Sequence, residues 1–258
     1  MSDLLRELQE PIFIITLNRV SKHNAFDDKL LKALSQTLDE AIANPKVRVI
    51  ILKANGRHFS AGADLAWMQR MAAFSEEDNL RDAMVLARVM YTLNQSPKPT
   101  IAMVQGAAYG GGAGLTAACD LAIASTSARF CFSEVKLGLI PAVISPYVVK
   151  AIGERAAKHL FMTAETFDAA EAKRLQLVQH CVADEELWPF TFNYAEQIAK
   201  LAPLAVSACK TLVADVAGKA ISEEIMLQTA ALIAKKRVSA EGQEGLHAFL
   251  NKEVPNWN

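Results

Sequence analysis

The sequence predicts a layered α/β body followed by an all-helical tail. Three observations carry this. Apolar runs of strand length lead into turns of small residues, at Ala61-Gly62-Ala63-Asp64 and at Gly110-Gly111-Gly112, each followed by a helical pattern. Strand, turn and helix recur as a β-β-α repeat, which implies stacked sheets and helices with catalytic loops at one end. From Leu187 onward only helical periodicity remains. The expected division is residues 1–190 as the core that carries the site and 191–258 as a helical oligomerisation segment.

Taken in order, Pro11–Leu17 (P-I-F-I-I-T-L) is a strand buried on both faces. Asn18–Phe26 is a polar loop with three cations, Arg19, Lys22 and His23, which is either simply solvated or a cradle for phosphate groups. Asp27 or Asp28 caps a helix that runs to about Ala43, and Asn44-Pro45 ends it. Val47–Lys53 is the next strand. Asn55-Gly56 is a turn, Phe59-Ser60 begins a further extended piece, and Leu65, Trp67 and Met68 suggest a helix. Ser75–Asn94 is a long helix whose Ser-Glu-Glu-Asp start is capped and acidic, as the helix dipole favours.

Ile101–Val104 is the central buried strand, with a helix from about Ala113 beyond the glycines. Leu121–Ala124 is a short strand, and Ala128–Glu134 alternates as a strand does. Pro141–Pro146 is a loop. Tyr147–Ile152 and Glu154–Phe161 are helical and broken at Gly153, with a further helix over Asp168–Leu175 and a last strand at Val178–Val182. Four helices close the chain, over 187–200, 203–217, 222–238 and 240–251. Leu227, Ala230, Ala231 and Ile233 give the tail more apolar surface than packing on one core requires, which suggests subunit contacts.

Composition excludes several classes. Hydrophobic residues are 52% and charged residues 21%, as in an ordinary globular enzyme-sized chain with a full core. A formal net charge of -1 without a basic run speaks against nucleic acid. Cys119, Cys131, Cys181 and Cys209 lack C-x-x-C spacing and read as buried free thiols, so neither a metal nor a disulfide is expected. The N-terminus lacks the apolar stretch of a secretion signal and no segment has membrane-spanning length, so a cytoplasmic location is expected.

The glycine turn is the most informative stretch. Glycine there permits positive φ and close approach, and N–H groups at a helix start, with the positive end of the helix dipole, suit an anion or an oxygen that becomes one. A tight packing turn is the plainer reading. A phosphate loop does not fit, since no Gly-Lys-Ser/Thr follows, and neither does the G-x-G-x-x-G dinucleotide spacing.

Three pieces in order, H-F-S-A-G-A-D-L at 58–65, G-A-A-Y-G-G-G-A-G at 106–114 and F-S-E-V-K-L-G at 132–138, resemble the crotonase superfamily of enoyl-CoA hydratases and isomerases. The resemblance covers nearly the whole chain, including N-R-V-S-K-H-N-A-F near the start and E-G-L-H-A-F-L-N-K-E-V-P near the end. It implies a spiral of ββα units with a C-terminal helical trimerisation segment, forming homotrimers or hexamers. It implies an acyl-CoA thioester as substrate, coenzyme A being part of that substrate and no separate cofactor being needed. The implied oxyanion donors are the amides of Ala63 and Gly111, and Glu134 is the implied acid–base residue. Lys22, His23 and Ala25, with Ala61, Gly62, Asp64 and Leu65, would cradle the coenzyme. Phe249 and Lys252 would reach the adenine end of a neighbouring subunit's ligand.

One departure stands out. Typical hydratases of the family carry a first catalytic glutamate where this chain has Gly114, and P-A-V-I-S-P replaces a glycine-rich loop. Two readings follow: a hydratase using Glu134 alone, with Gly114, Tyr109 and Ser145 as the positions to inspect for a helper, or an isomerase in which Glu134 shuttles one proton. The string G-A-D-L-A-W-M with S-E-V-K-L-G-L-I-P-A-V-I-S-P-Y is similar to bacterial members described as methylglutaconyl-CoA or carboxygeranoyl-CoA hydratases of leucine and isoprenoid breakdown. That similarity favours hydration. A non-catalytic acyl-CoA or RNA binder is the alternative outside enzymes, and the retained Glu134 argues against it.

Overall fold

The charged N-terminus forms an edge strand: β1 (Leu4–Gln9) pairs antiparallel with β2 (Ile12–Leu17), Leu4 opposite Leu17 and Gln9 opposite Ile12. β1 is almost wholly exposed and β2 wholly buried. Charge on a sheet's outer strand discourages further pairing, and the same charge hides this strand in the sequence. The computed structural model describes residues 2–257, which fall into two compact units, one ending at Glu196 and the other beginning at Gln197.

In the first unit, α1 (Asp28–Ala43) buries Leu30, Leu31, Leu34, Leu38 and Ala41, and its N-cap is Asp27, whose side chain accepts from Leu30 N. Next come β3 (Val49–Ala54), α2 (Leu65–Met71), and α3 (Glu76–Gln95), which Ser75 caps. β4 (Thr100–Val104) is buried throughout, β5 is Ala107–Tyr109, and α4 is Gly111–Ala118. Then follow β6 (Leu121–Ser125), β7 (Arg129–Cys131), α5 (Ser145–Thr163), β8 (Phe167–Asp168), α6 (Ala169–Arg174), β9 (His180–Val182) and α7 (Leu187–Ala199).

Six strands form one sheet in the order β1-β2-β3-β4-β6-β9, parallel from β2 onward, and β5-β7-β8 form a second. The chain passes from one sheet to the other at Gln105-Gly106: β4 pairs with β6 in the first, while β5 pairs with β7 in the second. This repeated crossing is the ββα unit, and it delivers the turn after β5 to the start of α4. The core is dry and aliphatic, with Ile50, Ile51, Leu52, Ile101 and Val104 at 0–1% exposure. Each such side chain contributes about 1.5–3 kcal/mol by burial.

Several expected boundaries move. α4 begins at Gly111, two residues before the alanine run, because Gly110 makes the turn. The strand expected over 128–134 ends at Cys131, and Glu134 opens a 3₁₀ turn instead. α5 starts inside the expected loop, at Ser145, since proline suits the first turn of a helix. Gly153, at φ 78° and ψ 160°, breaks α5 as expected.

The second unit holds α8 (Pro203–Val216), α9 (Glu223–Arg237) and α10 (Ala240–Asn251). α8 and α9 bury no residue, and Met226, Leu227 and Ile233 are half or more exposed. The four cysteines form no disulfide, and they are not all buried as expected: Cys119 and Cys131 are, Cys181 is partly so, and Cys209 on α8 is exposed. No described helix is long and apolar enough to cross a membrane.

Candidate active site

The segment 60–64 is pinned from both sides by main-chain hydrogen bonds. Ser60 N donates to Ala107 O (3.0 Å) and Tyr109 N to Ser60 O (3.0 Å), which lays the segment along β5. On the other side Phe26 N donates to Gly62 O (2.9 Å) and Asp64 N to Phe26 O (3.0 Å), so Phe26 brackets Ala63. The N–H of Ala63 takes part in neither bond. Ser60, fully buried, donates through Oγ to Asn24 O and accepts from Gly62 N, which ties the 22–26 loop to the same strip.

Gly110 closes the second half. Its N–H donates to Cys131 O (2.8 Å), and its φ of 49° with ψ of −119° is open to glycine alone. Gly111 is the first residue of α4, so its N–H has no carbonyl within the helix to meet. A Cβ at Gly111 would stand 2.3 Å from Phe26 Cζ, and one at Gly112 would stand 2.8 Å from Ser60 O. The Ala63 strip and the Gly111 turn thus share Phe26 and Ser60 as neighbours, and two main-chain N–H groups are left to serve a developing negative charge.

Glu134 completes the cluster. A Cβ at Gly110 would lie 3.1 Å from Glu134 Oε1. Oε2 is buried and has no hydrogen-bond partner, and no described residue forms an ion pair with this carboxyl. Burial raises its pKa above the ordinary glutamate value, opposed only weakly by its own backbone N–H. A carboxyl whose pKa is raised by burial holds its proton more tightly than an exposed glutamate and is the stronger base once ionised.

Around this centre the expected coenzyme residues divide. Lys22 and His23 are exposed on the loop and Ala25 is buried beneath it. Ala61 is exposed and donates through N to His23 O, Gly62 is buried, and Leu65 is 76% exposed. Asp64, 4% exposed, is a brace: its carboxylate accepts from Ala66 N and Trp67 N to cap α2 and meets Arg19 and Lys22 at 3.4 Å. Arg19 is not the phosphate-facing cation that its loop suggested. It is largely buried, lies among Asp3, Asp27 and Asp64, and donates to Ala25 O. Phe249 (82% exposed) and Lys252, in the left-handed C-cap of α10, belong to the second unit.

The three helper positions differ in their surroundings. Gly114 is buried, its N–H donates to Gly110 O, and a side chain there would collide with Ile144 Cγ2 at 2.2 Å. Ser145 Oγ donates to Ala142 O (2.8 Å) within its own turn. Tyr109 contributes its main chain, as the brace for Ser60. Phe26, Ile144 and His58 matter more than the sequence indicated. His58 Nδ1 accepts from Ala107 N (3.0 Å), and no local pattern announces a contact across 49 residues. Among the described residues no group of His, Cys, Asp and Glu could hold a metal.

Two free amides beside one buried carboxyl suit chemistry at carbons next to a thioester carbonyl. Residues 7–258 match the family described as Enoyl-CoA hydratase/isomerase. A crystal structure from Legionella pneumophila, provisionally described as an enoyl-CoA hydratase/isomerase (crotonase), superposes with a TM-score of 0.97 at 68% identity over 100% of both chains. A Thermus thermophilus protein provisionally named enoyl-CoA hydratase is 35% identical over 95% of this chain and 97% of its own. The 2,3-dehydroadipyl-CoA hydratase of Escherichia coli is 29% identical over 100% of this chain and 99% of its own. With this fold and these amides around one carboxyl, the chain belongs to the enoyl-CoA hydratase/isomerase family and has the crotonase fold.

Proposed function

We propose that the protein hydrates a 2-enoyl-CoA thioester, with 3-methylglutaconyl-CoA as the acyl group to test first. The observation that carries the reading is the Glu134 carboxyl, whose buried Oε2 has no hydrogen-bond partner, beside the Gly110–Gly111 turn. The thioester oxygen lies between Ala63 N–H and Gly111 N–H. Glu134, as carboxylate, takes a proton from water while the water oxygen bonds to C3, and negative charge passes to the thioester oxygen as an enolate. Glu134 then returns that proton to C2. One water is consumed and the carboxylate is regenerated.

Lys22, His23 and Ala25 with Ala61, Gly62 and Leu65 line the coenzyme, while Asp64 holds Ala63 in place. Phe249 and Lys252 reach a neighbouring subunit's coenzyme, in a homotrimer or a hexamer that covers the exposed apolar faces of α8 and α9. The E. coli relative acts on an acyl chain ending in a second carboxylate, as its name states, which supports a carboxylated acyl group here.

A second reading is favoured by one observation. With Ile144 against Gly114 there is one carboxyl, and one is enough to move a proton from C2 to C4 of a 3-enoyl-CoA. Turnover in H₂¹⁸O separates the two. Hydration places the label at C3 of the product, whereas double-bond migration leaves product mass unchanged. Loss of turnover by about 10²–10⁴-fold in Glu134→Gln is expected for either reaction, and full activity in that variant removes Glu134 from the mechanism.

A further inference from the structure

We infer that Ile144 is the residue that fixes this site at one carboxylate, by occupying the space that any side chain at position 114 would need. Ile144 comes from the loop before α5, is 2% exposed, and lies over the first turn of α4. A Cβ on Gly114 would meet Ile144 Cγ2 at 2.2 Å and Ile144 Cβ at 2.8 Å, with Met90 Cε at 3.1 Å behind. Met90 is itself fully buried, so both obstacles belong to the packed core, where added volume is typically costly. Because Cβ of Ile144 already conflicts, trimming it to alanine leaves the obstacle, and only glycine clears it.

The missing carboxylate and the unusual 141–146 segment are therefore one structural unit. An apolar wall of Ile144 and Met90 stands where a second acid would be, leaving Glu134 as the polar group able to hold a reacting water. This inference rests on the assignment of Glu134 as acid–base residue, and its packing half can be read without any activity.

The test is a set of variants at the two positions in the full-length protein. Glycine in a helix is normally improved by alanine. Here Gly114→Ala is expected to lower the thermal midpoint with Ile144 present and to raise it in an Ile144→Gly background. That reversal of sign is the signature of direct packing. An equal rise in both backgrounds overturns the inference. The functional half uses Gly114→Glu. With Ile144 present it is expected to lose at least tenfold in kcat/KM for hydration, and in combination with Ile144→Gly to regain at least tenfold over the single variant. No difference between the single and the double overturns the claim that Ile144 sets the carboxylate count. A sign reversal in stability with no enoyl-CoA turnover in any protein, wild type included, faults the proposed function and not the packing.

Discussion

Phe26 lies against Gly111 so closely that a β-carbon there would stand 2.3 Å from its Cζ, and its backbone brackets Ala63 through Gly62 O and Asp64 N. One aromatic residue thereby touches both stretches whose amides are proposed as oxyanion donors. Gly111→Ala is expected to push the ring and open the spacing between those amides. Overpacking costs about 1–3 kcal/mol of stability, and a displaced oxyanion donor costs about 10²–10³-fold in kcat. Phe26→Leu introduced with Gly111→Ala should recover stability more than it recovers kcat. Urea melts and kinetics on the two variants check this, and wild-type kcat in Gly111→Ala would exclude that amide.

Burial of the Glu134 carboxyl works against stability once the group ionises. Its folded-state pKa is raised by burial, so the folded protein holds the proton more tightly than the unfolded chain does. Stability from this group is complete below the unfolded value and is lost as pH rises through the folded one. Glu134→Gln, neutral at every pH, is expected to raise the thermal midpoint near pH 8 and to change it little near pH 4, while lowering turnover by about 10²–10⁴-fold. Wild-type kcat/KM should fall on the acid side of a pKa above the usual carboxylate range, and the residual rate of the variant should lack that limb. A variant less stable than wild type at pH 8 contradicts the desolvated carboxyl.

The strands and helices were legible because their signals are local. β2 and β4 are unbroken apolar runs, Asp27 and Ser75 are caps, and Gly153 breaks α5 where the sequence has its one glycine between two helical patterns. β1 was hidden by its edge charges, and β5 and β8 by being three and two residues long. In the site, Glu134, Ala63 and Gly111 were named through family resemblance, and the structure sets them around Phe26 and the Gly110 turn. What local sequence could not carry was who meets whom over long separations. Arg19 stands in a loop read as either solvated or a phosphate cradle, but Asp27 and Asp64 face it. Gly114 read as an absence, whereas Ile144 makes it an occupied volume.

Asp64 is a buried charge held by main-chain N–H groups and two cations. Burial would raise its pKa, but the N–H groups of Trp67 and Ala66 and the Lys22 ammonium outweigh this and lower it. Stability from this carboxylate is present above the unfolded value and lost as pH falls through the folded one. Asp64→Ala removes the cap of α2, typically about 1 kcal/mol, and also a partner of Arg19. Asp64→Asn keeps the cap oxygen and is expected to restore most of the stability. If Asp64 acts by holding Ala63, Asp64→Ala lowers kcat more than it raises KM. A pure rise in KM would make it a coenzyme contact instead.

His58 couples the same strip to pH. Its Nδ1 accepts from Ala107 N, which requires an unprotonated nitrogen, and Ala107 O in turn receives Ser60 N. Burial, the His23 ring 5.2 Å away and Arg57 all lower the His58 pKa. The unfolded chain therefore takes up a proton at a higher pH than the folded protein does. Stability is expected to fall as pH drops below about 6.5, and the fall ends only below the folded-state pKa. His58→Asn offers a carbonyl oxygen in place of Nδ1 and carries no titrating group. It should flatten stability over that acid window and leave kcat near neutrality within about threefold, since the order of effect is one hydrogen bond or less. Thermal melts of both proteins between pH 5 and 8 decide it: parallel curves would mean that folding does not lower the His58 pKa and that His58 contributes nothing to the acid-side loss of stability.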